Sequence, residues 1–192
     1  MLDILKQFNW VDLLIITLLI RICYVALKSS LFTELTKLFG TILATYLSLH
    51  YYPSLTDIFL NKMDLSSIPV SVLDFTSFII LLVVGYLAVL ILREALTRMM
   101  KIESAPKLDK WGSLIFGVGR GLILASLIFF ILSISTVKYL KRSLAVSYSG
   151  PYLFEIAPKI YKGIWATLGS KFMTKENFND IVIEANPFRT AQ

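Results

Sequence analysis

A single cysteine, Cys23, and a single histidine, His50, are all this chain offers of the two most versatile site-forming side chains. One cysteine closes no internal disulfide, and neither residue has partners at metal-ligand spacing. There is no H-E-x-x-H and no Ser/His/Asp set, so most hydrolytic and metal-dependent mechanisms have too few parts. Charge is scarce as well. Asp, Glu, Lys and Arg make up 17% of the residues, against about 25% in soluble domains, which is too little to cover a soluble surface. A cleavable leader is not expected either, because Asp12 and Arg21 interrupt the first apolar run and no clear small-x-small site follows it. That run is expected to stay as a transmembrane helix. The basic excess, +6, comes with no nucleic-acid-binding module. Its residues lie between and after the apolar runs, where lipid headgroups sit. The partners expected are therefore the lipid bilayer and other membrane proteins or a second copy, with no nucleic acid and no cofactor.

What the chain has instead is apolar sequence: 56% hydrophobic residues and a mean hydropathy of +0.72. The runs approach the roughly 20 residues that cross a bilayer as helix. The fold class expected is an all-α polytopic membrane protein with about four transmembrane helices. Its transmembrane domain covers residues 1–140 and a C-terminal tail covers 141–192. The spans are Trp10–Leu27, Leu31–Tyr52, Phe75–Leu92 and Trp111–Val137. The second is the most polar. Pro53 is expected to end it, and Asp74 to cap the third. In the tail, residues 152–168 mix aromatics and lysines. Two readings stand: an amphipathic helix lying in the membrane interface, or a loosely packed extramembrane tail. The last twenty or so residues read as flexible. The distribution of Lys and Arg puts the 1–2 and 3–4 connectors in the cytoplasm and both termini outside.

The stretch "FGVGRGLILASLIFF", Phe116–Phe130, carries the strongest signals. Its G-x-G-x-G lacks the spacing of the dinucleotide fingerprint and the Lys-Ser/Thr of a P-loop, and no βαβ pattern surrounds it. A four-residue spacing counts for more. Ser113, Gly117, Gly121 and Ala125 form a ridge of small residues on one helix face. The second span repeats it with Thr36, Gly40, Ala44 and Ser48, and the doubled ridge predicts that spans two and four pack together. Arg120 lies about 14 Å along the helix from Trp111, deep enough that it must face the bundle and find a partner. The acids on hand are Asp12, Glu34, Glu94 and Asp109. Glu34 is favoured, since it enters from the same side on the helix with the matching ridge. Such a pair serves either to fix the helix arrangement or to line a transport path. Asp12 suits a helix start, Arg21 is placed to snorkel to the far interface, and His50 reads as an interfacial or a proton-handling histidine.

These residues carry a resemblance. "WVDLLII", Glu34 early in span two and "DKWGSLIFGVGRG" together resemble the colicin V production protein (CvpA) family of small bacterial inner-membrane proteins. That family has an Asp in the first segment, R-G-x-x-R-E entering the second and D-R-x-x-G-x-x-x-G-x-x-R-G in the fourth. Asp12, Glu34, Asp109, Gly117, Arg120 and Gly121 stand at matching positions over roughly residues 8–140. Ser29, Ser30, Thr33, Lys110 and Ser113 depart from the pattern. The first connector is less basic as a result. The resemblance implies a multi-pass inner-membrane protein, not an enzyme, that supports toxin (bacteriocin) production or export. A small oligomeric channel or transporter built around Arg120 and Glu34 is the alternative.

Overall fold

The computed structural model describes residues 9–62, 68–99, 106–169, 171 and 176–188. Four long helices come first: α1 (Trp10–Lys28), α2 (Leu31–Lys62), α3 (Val70–Met99) and α4 (Pro106–Ile134). The tail adds α5 (Lys138–Ala145), α6 (Gly150–Leu153), α7 (Ile156–Ile164), a π-helical turn (Trp165–Gly169) and α8 (Ile181–Glu184). No strand occurs among the described residues.

Stretches of α1, α3 and α4 are long and apolar enough to cross a membrane, with mean hydropathies of 2.2, 2.3 and 2.3. Their outward apolar side chains, among them Leu13, Ile20, Ile91 and Ile115, suit acyl chains as solvent. α2 is not among them by composition, yet it must cross too. The start of α1 is bonded directly to the tail that follows α4, through Asp12 and Ser149. Both ends of the four-helix array therefore lie on one side, which requires an even number of crossings. α2 reconciles polarity with the bilayer by occupying the centre, against both α3 and α4. Glu34, Thr41, Thr45, Ser48, His50 and Thr56 are all buried there. Its buried threonine hydroxyls bond back to carbonyls one turn earlier, as Thr41 does to Lys37 and Thr45 to Thr41, so these are satisfied within the helix. Thr56 Oγ1, which donates to Tyr52 O, is also within hydrogen-bond distance of Ser77 Oγ of α3 at 3.1 Å.

Pro53 does not end α2, which runs on to Lys62. A proline at this position deprives the Leu49 carbonyl of its usual N–H partner. Asn179 of the tail replaces it, its side-chain amide donating to Leu49 O at 2.7 Å. α3 begins at Val70, directly after Pro69, so Asp74 sits within the helix and not at its cap. Pro106 opens α4, where a missing N–H costs nothing. α4 stops at Ile134 and not at Val137, which precedes α5.

Spans two and four do pack together, as α2 and α4, but their small-residue ridges do not face each other. A Cβ at Gly117 would lie 2.4 Å from Ala26 Cβ, and one at Gly121 would lie 2.9 Å from Leu19 Cδ2. Ser113 Oγ donates to Ser29 O. The α4 ridge thus seats α1. The α2 ridge seats α3: a Cβ at Gly40 would meet Val89 at 2.8 Å, and one at Gly85 would meet the Ala44 backbone at 3.0 Å. Two ridges of matching period do not identify each other as partners, because each accepts any helix that approaches closely.

The tail rests on the bundle. Phe154, Ala157, Tyr161 and Val182 are buried within the same core as Phe78 and Phe130. Rings run from Tyr52 to Phe78, Phe130, Phe154 and Phe188, with centroids 5.1–6.2 Å apart, in the tilted and edge-on geometries that aromatic pairs favour. Ser126 of α4 bridges the α6–α7 break, donating to Phe154 O and accepting from Ala157 N, both at 2.8 Å. Of the final stretch read as flexible, residues 176–188 are packed in place by Asn179, Val182 and Phe188.

Candidate functional site

Glu34 occupies the first turn of α2, where the helix dipole favours an acid. It is fully buried. Its Oε1 accepts from Lys37 Nζ at 2.6 Å, one turn along the same helix. Its Oε2 lies 3.1 Å from Arg120 Nη2 of α4. Arg120 reaches this position because side chains on a helix lean toward its N-terminus, which for α4 is the connector side where α2 begins. Gly117, one turn earlier on α4, leaves the space: a Cβ there would lie 3.8 Å from Glu34 Oε2.

The cluster is unbalanced in two ways. Two cations meet one carboxylate, leaving an excess positive charge inside the bundle. Its hydrogen bonding is also incomplete. The Arg120–Glu34 contact has ion-pair distance without hydrogen-bond alignment, and both Glu34 Oε2 and Arg120 Nε are buried with no hydrogen-bond partner. An ion pair so placed holds two helices together chiefly because breaking it strands a buried charge.

Asp12 forms a separate site at the opposite end of the bundle. It is 1% exposed and has no cationic partner among the described residues. Instead, five donors converge on its carboxylate: the backbone N–H groups of Asn9, Tyr148 and Ser149, and the hydroxyls of Ser147 and Ser149, at 2.5–3.2 Å. Asn9 and Asp12 complete a capping box at the start of α1. Trp10 Nε1 and Asn9 Nδ2 donate to Ser143 Oγ and Ser143 O. Asp12 thus clasps the α5–α6 turn to the mouth of the bundle.

His50 makes a third cluster. Its Nδ1 is 2.9 Å from Tyr161 Oη and its Nε2 is 2.8 Å from Glu176 Oε2. Tyr161 already accepts from Asn179 N, and burial pushes its hydroxyl up to about 12, so it keeps its proton to give to Nδ1. Neutral His50 is therefore the Nε2–H tautomer, donating to Glu176. Tyr51 Oη also donates to Glu176. Rings of Tyr46, Tyr51, Tyr161 and Trp165 surround the imidazole.

Of the candidate residues, the structure brings Arg120 and Glu34 together and keeps Asp12 apart from them. The Asp109 side chain lies outside the described residues. Glu94 is exposed on α3, and Arg21 is exposed on α1. Lys37 was missed, although its i,i+3 spacing from Glu34 is a sequence signal. Glu176, Asn179 and Ser147–Ser149 were missed too. Only "SYSG" gave any cue, as turn chemistry. Among the described residues no group of three or more His, Cys, Asp or Glu is arranged to hold a metal ion.

The family model described as colicin V production protein matches residues 11–158, about three-quarters of the chain. The matched segment takes in the Glu34–Arg120 cluster and the Asp12 clasp, and it ends within α7. No curated protein and no solved structure matches the chain.

Proposed function

This chain belongs to the colicin V production protein family, and on that premise we propose that it is a multi-pass inner-membrane protein supporting bacteriocin production or export without catalysis of its own. The match over residues 11–158 carries this reading. The site geometry is in keeping with it. Glu34, Lys37 and Arg120 are turned toward one another inside the bundle, and Asp12 is turned toward the tail. These charges act on the arrangement of the protein's own elements, as in a scaffold that presents a fixed shape to other membrane proteins. The connectors face the cytoplasm and both termini face outward.

The test is a deletion strain carrying the toxin genes. Toxin output should fall, and a plasmid copy should restore it. Arg120→Gln should restore it only as far as the variant accumulates in the membrane. Unchanged output in the deletion strain would refute the role. Crosslinking in native membranes should recover other envelope proteins, and self-crosslinks alone would contradict the scaffold reading.

One observation favours a second reading, a small oligomeric channel or transporter. The excess positive charge at Arg120 and Lys37, with Arg120 Nε unpartnered, is suited to an anion passing through the bundle. Purified protein in liposomes would then give an anion flux that Arg120→Gln abolishes. Absence of flux for chloride, phosphate and short acidic peptides would remove this reading.

A further inference from the structure

The tail holds a groove that none of the three clusters uses. It has a volume of about 550 Å³ and lies between α6–α7 and residues 182–188. That is within the roughly 300–1,000 Å³ typical of small-molecule sites. Its floor is apolar, formed by Phe154, Val182 and Phe188, and prolines 151 and 158 stiffen one side. Lys159, Lys162 and Glu155 are its charged lining residues, two cations to one carboxylate. Lys159 pairs with Glu155, whereas Lys162 is exposed and has no ion pair among the described residues.

The position of the groove says what kind of molecule meets it. α7 is bonded to Ser126, eight residues before the end of α4 at Ile134, which is about 12 Å back along the helix. It also contacts His50 on α2. α7 therefore begins alongside α4, about 12 Å inside that helix's end, and packs on the flank of the bundle. Three tyrosines of the tail, Tyr139, Tyr148 and Tyr152, are 65%, 50% and 72% exposed, as in an interfacial aromatic belt. From Lys138 onward the sequence has eight basic and four acidic residues. An apolar slot on the flank of the bundle, with two ammonium groups in its lining and a basic surface around it, is complementary to a molecule with an acyl chain and a negative head.

We propose that this groove binds an anionic phospholipid, its acyl chain against Phe154, Val182 and Phe188 and its phosphate at Lys159 and Lys162. The lipid fastens the tail to the leaflet that the tail faces. Neither reading of the protein's function is needed for this inference.

The experiment uses the full chain, released from nanodiscs containing equal amounts of phosphatidylglycerol and phosphatidylcholine and weighed by native mass spectrometry. The wild type should retain one phosphatidylglycerol in preference to phosphatidylcholine. Replacing both lysines, Lys159→Gln with Lys162→Gln, should cut that preference roughly five- to thirtyfold, the weight of one to two lysines at an anionic surface. Ile183→Trp fills the groove without changing charge and should remove the retained lipid altogether. Both variants are checked for native helicity and elution. Added inorganic phosphate should not displace the lipid. Equal retention of both lipids, retention unaffected by the two variants, or an adduct with the mass of a peptide would overturn the proposal.

Discussion

Replacing Gly117 by alanine adds one methyl group at the tightest point between α1 and α4. The new Cβ would lie 2.4 Å from Ala26 Cβ, about 1 Å inside ordinary carbon–carbon contact. Ala26 is fully buried and has no flexible end to move aside. Relief requires α1 to shift outward, which loosens Gly121 against Leu19 and strains the Ser113–Ser29 bond. Overpacking of this kind costs about 1–3 kcal/mol. Alanine's better helix propensity offsets up to about 1 kcal/mol. The net expectation for Gly117→Ala is a loss of about 1–2 kcal/mol.

The decisive comparison is the double variant. Ala26→Gly alone should cost about 1 kcal/mol through propensity, with some lost contact in addition. Combined with Gly117→Ala it moves one methyl across the same interface, so the pair should fall within about 1 kcal/mol of wild type. The coupling would be about 2 kcal/mol, well above the few tenths expected of independent sites. Gly119→Ala is the control on the same helix. Its nearest neighbour is Leu38 Cδ1 at 3.9 Å, so it should be neutral or slightly stabilising. The assay is equilibrium unfolding by SDS in mild detergent, followed by tryptophan fluorescence. Strict additivity of the double variant, or a Gly117→Ala no worse than Gly119→Ala, would refute the seating of α1 on this ridge.

Three further outcomes are expected. Glu34→Gln leaves Arg120 and Lys37 facing each other in the bundle and should cost about 3 kcal/mol in the same assay. Adding Arg120→Gln should recover part of that loss, and simple additivity would contradict the pairing. Asn179→Ala strands the Leu49 carbonyl and should cost about 1–3 kcal/mol; in a Pro53→Ala background, where an N–H is available again, the cost should nearly vanish. Glu176 titrates below its usual 4.5, held there by the hydrogen bond from His50 with help from Tyr51 and against the smaller effect of burial. A carboxyl with a depressed folded-state value contributes stability that is present above its unfolded value and lost as pH falls through the folded one. Protease release of the tail should therefore change little down to about pH 5 and rise below that, while Glu176→Gln should remove the acid-dependent rise. A wild-type profile that stays flat into strong acid would count against the contact.

How much of this was legible in the sequence depends on how far apart the interacting residues lie. The helices were legible because hydropathy and period are local properties, and Arg120 announced its own burial because a charge at that depth has few alternatives. Glu34 followed from one more local fact, the side from which α2 enters. The reading failed where one residue's role was decided by another far along the chain. Pro53 ends a helix in isolation, and only Asn179, 126 positions later, makes the continuous helix tenable. Asp12 looked like a dipole partner for α1, whereas most of its hydrogen bonds come from residues 147–149. The ridges were legible as ridges but not as pairs, since a row of small residues specifies close approach and not the identity of what approaches. Each of these corrections involves either the tail or the order of helices around α2, and the tail corrections share one cause. The four-helix array leaves polar groups at the end opposite the Glu34 cluster, the Asp12 carboxylate, the Leu49 carbonyl and the His50 imidazole, that its own helices do not satisfy. Residues 143–179 supply a partner to each. The tail is therefore the closing element of the bundle, and its sequence of scattered serines, asparagines and aromatics is set by the groups it has to cover.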